Sequence, residues 1–294
     1  MTDSPGLIRP MVTTDLGAVA AVTNTAFGAL RGDPDSQRFP PLLFETRLAA
    51  DPDGCFVAVD PGDPGAVTGA LFSVARGGLG WFGPLAVRPA AQRGGIGQGL
   101  TAACLDSWRR RGVLLMGLET FGDSPFHVHL YSKLGFRPAW TGVSFSRALG
   151  ETTMPAGVRA DGLIPDLGYL YPGLDVSGEA AATVSCAAGV VLTTGDGVAI
   201  CHLKPTFQGP ETGYLPFLAA RSRESFDLLM AAAEHVSREA GCTSFFTRTS
   251  GSSWATMDAL VACGYRAGGA MVRMKRGENP DYDRTETYYC DNWL

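Results

Sequence analysis

Apolar residues in the first half of the chain switch repeatedly between the spacing of helices and that of strands. Thr14 to Phe27 and Leu42 to Ala50 read as helices, and Cys55 to Val59 and Val67 to Val74 as strands. The two strands flank Asp60-Pro-Gly-Asp-Pro-Gly65, a run of turn formers, so they are expected to pair as a hairpin. Trp81 to Val87 reads as a further apolar strand. A glycine cluster then opens a helix that carries Leu100, Ala103, Cys104 and Trp108 on one face, at i, i+3, i+4 and i+8. Val113 to Leu118 follows as a strand and Phe126 to Leu134 as a helix.

The second half repeats this order. Gly112 and Gly135 are 23 residues apart, as are Gly241 and Gly264, and one offset of 129 maps the first pair onto the second. Under the same offset the apolar stripe finds its match in the helix face of Phe226, Leu229, Met230, Ala233 and Val236, and the hairpin finds a looser match in Val190 to Leu192, Gly195-Asp-Gly197 and Val198 to Leu203. The agreement points to a duplicated unit. Glu151 to Leu163, rich in Gly, Thr, Pro and Ala, reads as the linker, which divides the chain into domains at 1–153 and 154–294.

A chain of 294 residues suits two domains, and 45% hydrophobic with 18% charged residues excludes general disorder. The net charge is −5, and no basic run exceeds Arg109 to Arg111, so nucleic acid is not an expected partner. No apolar stretch is long enough to span a bilayer, and the N-terminus lacks a signal-peptide pattern, so a soluble cytoplasmic protein is expected. The seven cysteines are scattered and never spaced C-x-x-C, which predicts reduced thiols without disulfides or zinc.

The chemistry concentrates in Leu85-Ala-Val-Arg-Pro-Ala-Ala-Gln92-Arg93-Gly94-Gly95-Ile96-Gly97-Gln98-Gly99, between a strand and a helix. The first amides of a helix have no internal acceptor, and the helix dipole is positive there. Glycines at 94, 95 and 97 clear the approach to those amides, and Arg93 adds a cation, so the loop suits a phosphate. It is not a Walker A loop, since no Lys-Ser or Lys-Thr follows the glycines. It fits a dinucleotide fingerprint poorly, since Leu100 stands at the third glycine position.

Gln92-Arg93-Gly94-Gly95-Ile96-Gly97, followed one strand later by Leu130-Tyr131-Ser-Lys-Leu-Gly-Phe136, resembles the GCN5-related N-acetyltransferase (GNAT) family over Trp81 to Pro138. The resemblance implies a mixed α/β fold built as two tandem GNAT-like domains, each a mostly antiparallel sheet with a splayed strand pair and flanking helices. It implies that acetyl-CoA enters the splay, with pantetheine along Leu85, Ala86 and Val87 and pyrophosphate on Gln92, Arg93, Gly94, Gly95, Ile96, Gly97 and Gln98. Tyr131 matches the family's general acid beside the sulfur. Ser124 stands where many relatives carry a CoA-contacting Asn.

Acetyl transfer to an amine needs a base, an oxyanion donor and a proton for the thiolate. Glu119, at the end of its strand, and Glu45 are the candidate bases, and the Val87 amide is a candidate oxyanion donor. His127 and His129 form an H-x-H without a third ligand, so no metal is expected. Glu45, Glu119 and Asp123 would suit a cationic form of the acceptor, a small-molecule primary amine. A catalytically silent acyl-CoA-binding or regulatory module is the alternative, and acyl groups larger than acetyl stay open.

Under the offset, Arg93 to Gly97 fall on Ser222 to Phe226, Tyr131 on Leu260 and Glu119 on Arg248. The second domain is therefore expected to keep the fold without binding CoA or catalysing, and to support the first domain or shape its acceptor cleft. The tail from Gly277 to Leu294, polar and aromatic with Tyr282, Tyr288, Tyr289 and Trp293, could close a strand against the second domain, pack on a partner or stay solvated.

Overall fold

A computed structural model describes residues 7–33, 38–277 and 286–292. The first half runs β1 (Leu7–Pro10), α1 (Leu16–Arg31), α2 (Pro41–Ala50), β2 (Phe56–Asp60), β3 (Asp63–Arg76), β4 (Leu79–Val87), α3 (Ile96–Arg110), β5 (Leu115–Thr120), α4 (Pro125–Lys133) and β6 (Arg137–Ala148). The second runs α5 (Ser177–Ser185), β7 (Gly189–Thr193), β8 (Gly197–His202), β9 (Thr212–Ala220), α6 (Arg223–Glu239), β10 (Ser244–Ser250), α7 (Trp254–Ala262), β11 (Arg266–Arg276) and β12 (Tyr288–Asp291). The offset of 129 carries the starts of β5, α4 and β6 onto the starts of β10, α7 and β11.

All twelve strands join one mixed sheet, ordered β1-β2-β3-β4-β5-β11-β6-β10-β9-β8-β7, with β12 on β9. The halves are interlaced at its centre. β11, from the second half, lies between β5 and β6 of the first, with Val272 opposite Thr120 and Thr141. β6 lies between β11 and β10, with Val143 opposite Thr249. A cut at residue 153 would separate β6 from both strands it pairs with and β5 from β11. The core crosses the same seam: Val74, Trp81 and Leu115 pack with Tyr171, Ile200, Phe217 and Tyr289.

β4 and β5 run parallel but pair only over Leu79–Trp81 and Leu115–Gly117. The Trp81 ring lies over Gly117, where any Cβ would fall 1.4 Å from a ring carbon, so the strands can meet there only with glycine. Beyond Trp81 they diverge, while β4 stays paired to β3 as far as Val87. That divergence is the splay, and it makes the cleft.

Candidate active site

The cleft is a cavity of about 780 Å³. Its wall includes Leu85, Ala86 and Val87 of β4, Gln92, Arg93, Gly95, Ile96, Gly97 and Gln98 of the loop, and Ser124 and Tyr131 of α4, together with Met271 of β11. Every cofactor-contact residue expected from the sequence therefore meets in one place, except Gly94, which is not part of the wall.

Ladder alternation orients the β4 amides. The Arg88 amide donates to Thr68 of β3 at 2.8 Å, so alternate residues Val87 and Leu85 direct their N–H groups away from β3 and into the splay. Gln92 does not face a ligand freely: its Nε2 donates to the Val87 carbonyl at 3.0 Å and ties the loop to the strand.

The loop presents backbone. Among the described residues, none of the amides from Arg93 through Gln98 has a protein acceptor, and no side chain caps α3. Arg93 and Gly95 both adopt left-handed conformations, with φ of +69° and +82°. A Cβ on Gly95 would meet nothing within 4 Å, and one on Gly97 would make only an ordinary 3.8 Å contact with Val87. Neighbouring atoms do not demand these glycines, which instead leave space over bare amides at a positive helix end. A diphosphate fits that donor set.

Tyr131 is 8% exposed, packed against Phe82 and Phe136 at ring separations of 5.7 and 6.5 Å. Burial pushes its phenol well above the ordinary value, so the proton is held throughout the neutral range. His127, one helical turn earlier on the same face of α4, also lines the cavity. Burial lowers its pKa below the ordinary imidazole range, and its buried Nδ1 has no partner. The H-x-H spacing points in the sequence only to metal ligands; the four-residue separation of His127 from Tyr131 is the signal that sets it on the cavity face of α4.

Glu119 is not placed as a proton acceptor would be. Its Oε2 accepts from Arg248 at 2.5 Å and its Oε1 from Arg273 at 2.7 Å, and its side chain has no exposed surface. The residue lies in the cavity wall, but its carboxylate is taken up in tying β5 to β10 and β11. Glu45 is exposed on α2 and is not part of the wall of this cavity, and Asp123 is exposed likewise. The expected carboxylate lining for a cationic acceptor is therefore corrected: these groups are buried in ion pairs or turned to solvent.

The corresponding gap in the second half is filled. β9 pairs with β10 over Thr212–Leu215, then with β12 over Phe217–Ala220. β12 is held from the other side: Thr249 Oγ1 donates to the Tyr289 carbonyl at 2.7 Å, and the Tyr289 amide donates to Thr256 Oγ1 at 2.9 Å. β9 ends at Ala220 and α6 begins at Arg223, so only Arg221 and Ser222 separate them, and the Ser222 hydroxyl caps the helix by accepting from the Ser225 amide at 3.2 Å. Tyr282 and Trp293 lie outside the described residues.

A mixed sheet with a splayed parallel pair and a bare-amide loop defines an acetyltransferase fold, here in tandem. A tandem GNAT protein from the clavulanic acid biosynthesis pathway superposes with a TM-score of 0.57 at 16% identity, covering 93% of this chain and 99% of that one. A candidate acetyltransferase of Pyrococcus horikoshii superposes with a TM-score of 0.72 at 19% identity, covering 99% and 95%. Residues 51–138 match the family model of the acetyltransferase (GNAT) domain. A mycothiol acetyltransferase of Nocardia farcinica is 35% identical over 100 residues, so the match spans 33% of this chain and 33% of that relative. No helix among the described residues is long and apolar enough to cross a membrane, and no group of three or more His, Cys, Asp or Glu there could hold a metal ion.

Proposed function

We propose that the first half transfers an acetyl group from acetyl-CoA to the primary amine of a small molecule by direct attack, and that the second half has no cofactor site of its own. The observation that carries this is the row of bare amides at Arg93 to Gln98 on the same cavity as Tyr131. Bound there, acetyl-CoA supplies an activated acyl thioester. The loop amides and Arg93 hold an anionic diphosphate, and the Leu85 and Val87 amides offer donors where a carbonyl oxygen gains charge. His127, neutral at physiological pH, accepts the amine proton directly or through water, and Tyr131 retains its proton until a thiolate departs.

The test is turnover of acetyl-CoA with a panel of amines, followed as free thiol. Tyr131→Phe should lower kcat by about 100-fold, within the range of a positioned acid, with CoA affinity unchanged. The acid limb of kcat/KM should lie below the ordinary histidine range and vanish in His127→Gln. Tight CoA binding without turnover on any amine would establish the silent binding module instead.

A further inference from the structure

Next to the main cavity is a recess of about 80 Å³ that shares Phe27, Pro84, Phe121 and Met271 with it. Phe39 and Phe207 add to an apolar wall, and three guanidiniums border it: Arg31 at the end of α1, Arg38 before α2, and Arg248 on β10. Each stands over a phenyl ring. Arg31 lies 5.6 Å from the centre of Phe121, Arg38 5.9 Å from Phe39, and Arg248 5.8 Å from Phe207.

Their charges are poorly matched. Arg31 and Arg38 make no ion pair among the described residues. Arg248 is 6% exposed; its Nη1 serves Glu119 and Asn292, while its buried Nε has no acceptor. Glu119 is in turn shared with Arg273. Burial, then the proximity of Arg31 and Arg248, lowers the pKa of Arg38, so its charge is disfavoured where it stands. A desolvated guanidinium donor without an acceptor is costly in an apo protein and is relieved by an anion.

We propose that this recess takes a compact anionic group of the acceptor, so the substrate is an amine that also carries a carboxylate or phosphate, with an apolar portion against the phenyl walls. This rests on the acetyltransferase reading above and narrows it. The shared walls put the anion next to the cleft in which the amine would meet the thioester. The second half supplies Arg248, Phe207 and Met271, and so shapes acceptor recognition.

The test uses the full chain and the double variant Arg31→Gln, Arg38→Gln, both at exposed positions. Phenylalanine, its primary amide and phosphoethanolamine are compared as acceptors. Expected is at least a tenfold preference in kcat/KM for an anionic amine over the amide, lost in the variant through a tenfold or larger rise in KM with kcat within twofold. Whichever of the carboxylate and the phosphate is preferred identifies the anion. If the amide serves as well as the acid, or the variant changes all three alike, the proposal is overturned while the acetyltransferase reading stands. If no amine turns over, calorimetric binding of N-acetylphenylalanine and of phosphoethanolamine to the CoA-loaded and CoA-free protein decides. Binding of either that is tenfold weaker in the variant supports the anion site; no binding, or equal binding, refutes it.

Discussion

The two halves close the same gap by different means. In the first, β4 and β5 part after Trp81 and leave a cavity of about 780 Å³, at whose mouth α3 begins uncapped. In the second, β9 and β10 part after Leu215, but β12 enters as a short antiparallel strand, with Tyr289 and Cys290 fully buried. Unpaired backbone in a splay must find partners somewhere. On the function proposed above, one half leaves that requirement to a ligand; the other meets it with its own chain. The gap is thus a property of the fold, and what fills it separates a site from a scaffold.

The largest test of this contrast falls on the seam between the halves. Glu119 and Arg248 occupy equivalent positions in the two copies and form a buried ion pair that Arg273 extends. Glu119→Gln leaves two buried guanidiniums short of their counter-charge and should cost about 3–5 kcal/mol of stability, read from denaturant midpoints. Were Glu119 a general base, kcat would instead collapse with stability nearly unchanged.

The second test moves one cleft toward the other. Gly95→Asp places a carboxylate at the start of α3, at the position that the offset of 129 pairs with Glu224 in the first turn of α6. CoA affinity should fall at least 100-fold, about 2.7 kcal/mol, by calorimetry. Stability should drop only by about 1–2 kcal/mol, since Asp tolerates the left-handed backbone at φ +82° and meets no neighbour there. Unchanged affinity would remove the loop from the cofactor site, and with it the contrast between the halves.

What could be read in the sequence was local. The stripe Leu100, Cys104, Trp108 and the matched glycines 112, 135, 241 and 264 report periodicity and helix ends, which neighbouring residues determine, and α3, α4, α6 and α7 fall where those signals place them. The loop amides were legible for the same reason. The exchange of β6 and β11 was not. Both strands follow equivalent helices, and nothing within either distinguishes pairing inside its own half from pairing across the seam. The ion pairs of Glu119 were not legible, because its partners lie 129 and 154 residues away. Arg31 and Arg38 carry no signal in the sequence, because an exposed arginine is ordinary until a fold sets it beside two others. The tail's aromatic pattern allowed a strand at Tyr288–Asp291, but only the splay shows why one belongs there.

The smallest test addresses the two helix starts alone. Ser222 caps α6 with its hydroxyl, and no side chain does so for α3. Ser222→Ala should therefore cost about 1 kcal/mol, the usual worth of such a cap, and leave CoA affinity untouched. At a ligand concentration of about 100 Kd, one bound CoA stabilises the folded chain by about 2.7 kcal/mol, and this increment should be the same in the variant and the parent. A larger increment in Ser222→Ala would mean that the freed α6 amides have acquired ligand, and that the second helix start, once uncapped, can bind as the first does. An equal increment, with calorimetry still counting one CoA per chain, would place the difference between the halves in the missing loop and the inserted β12 rather than in the cap.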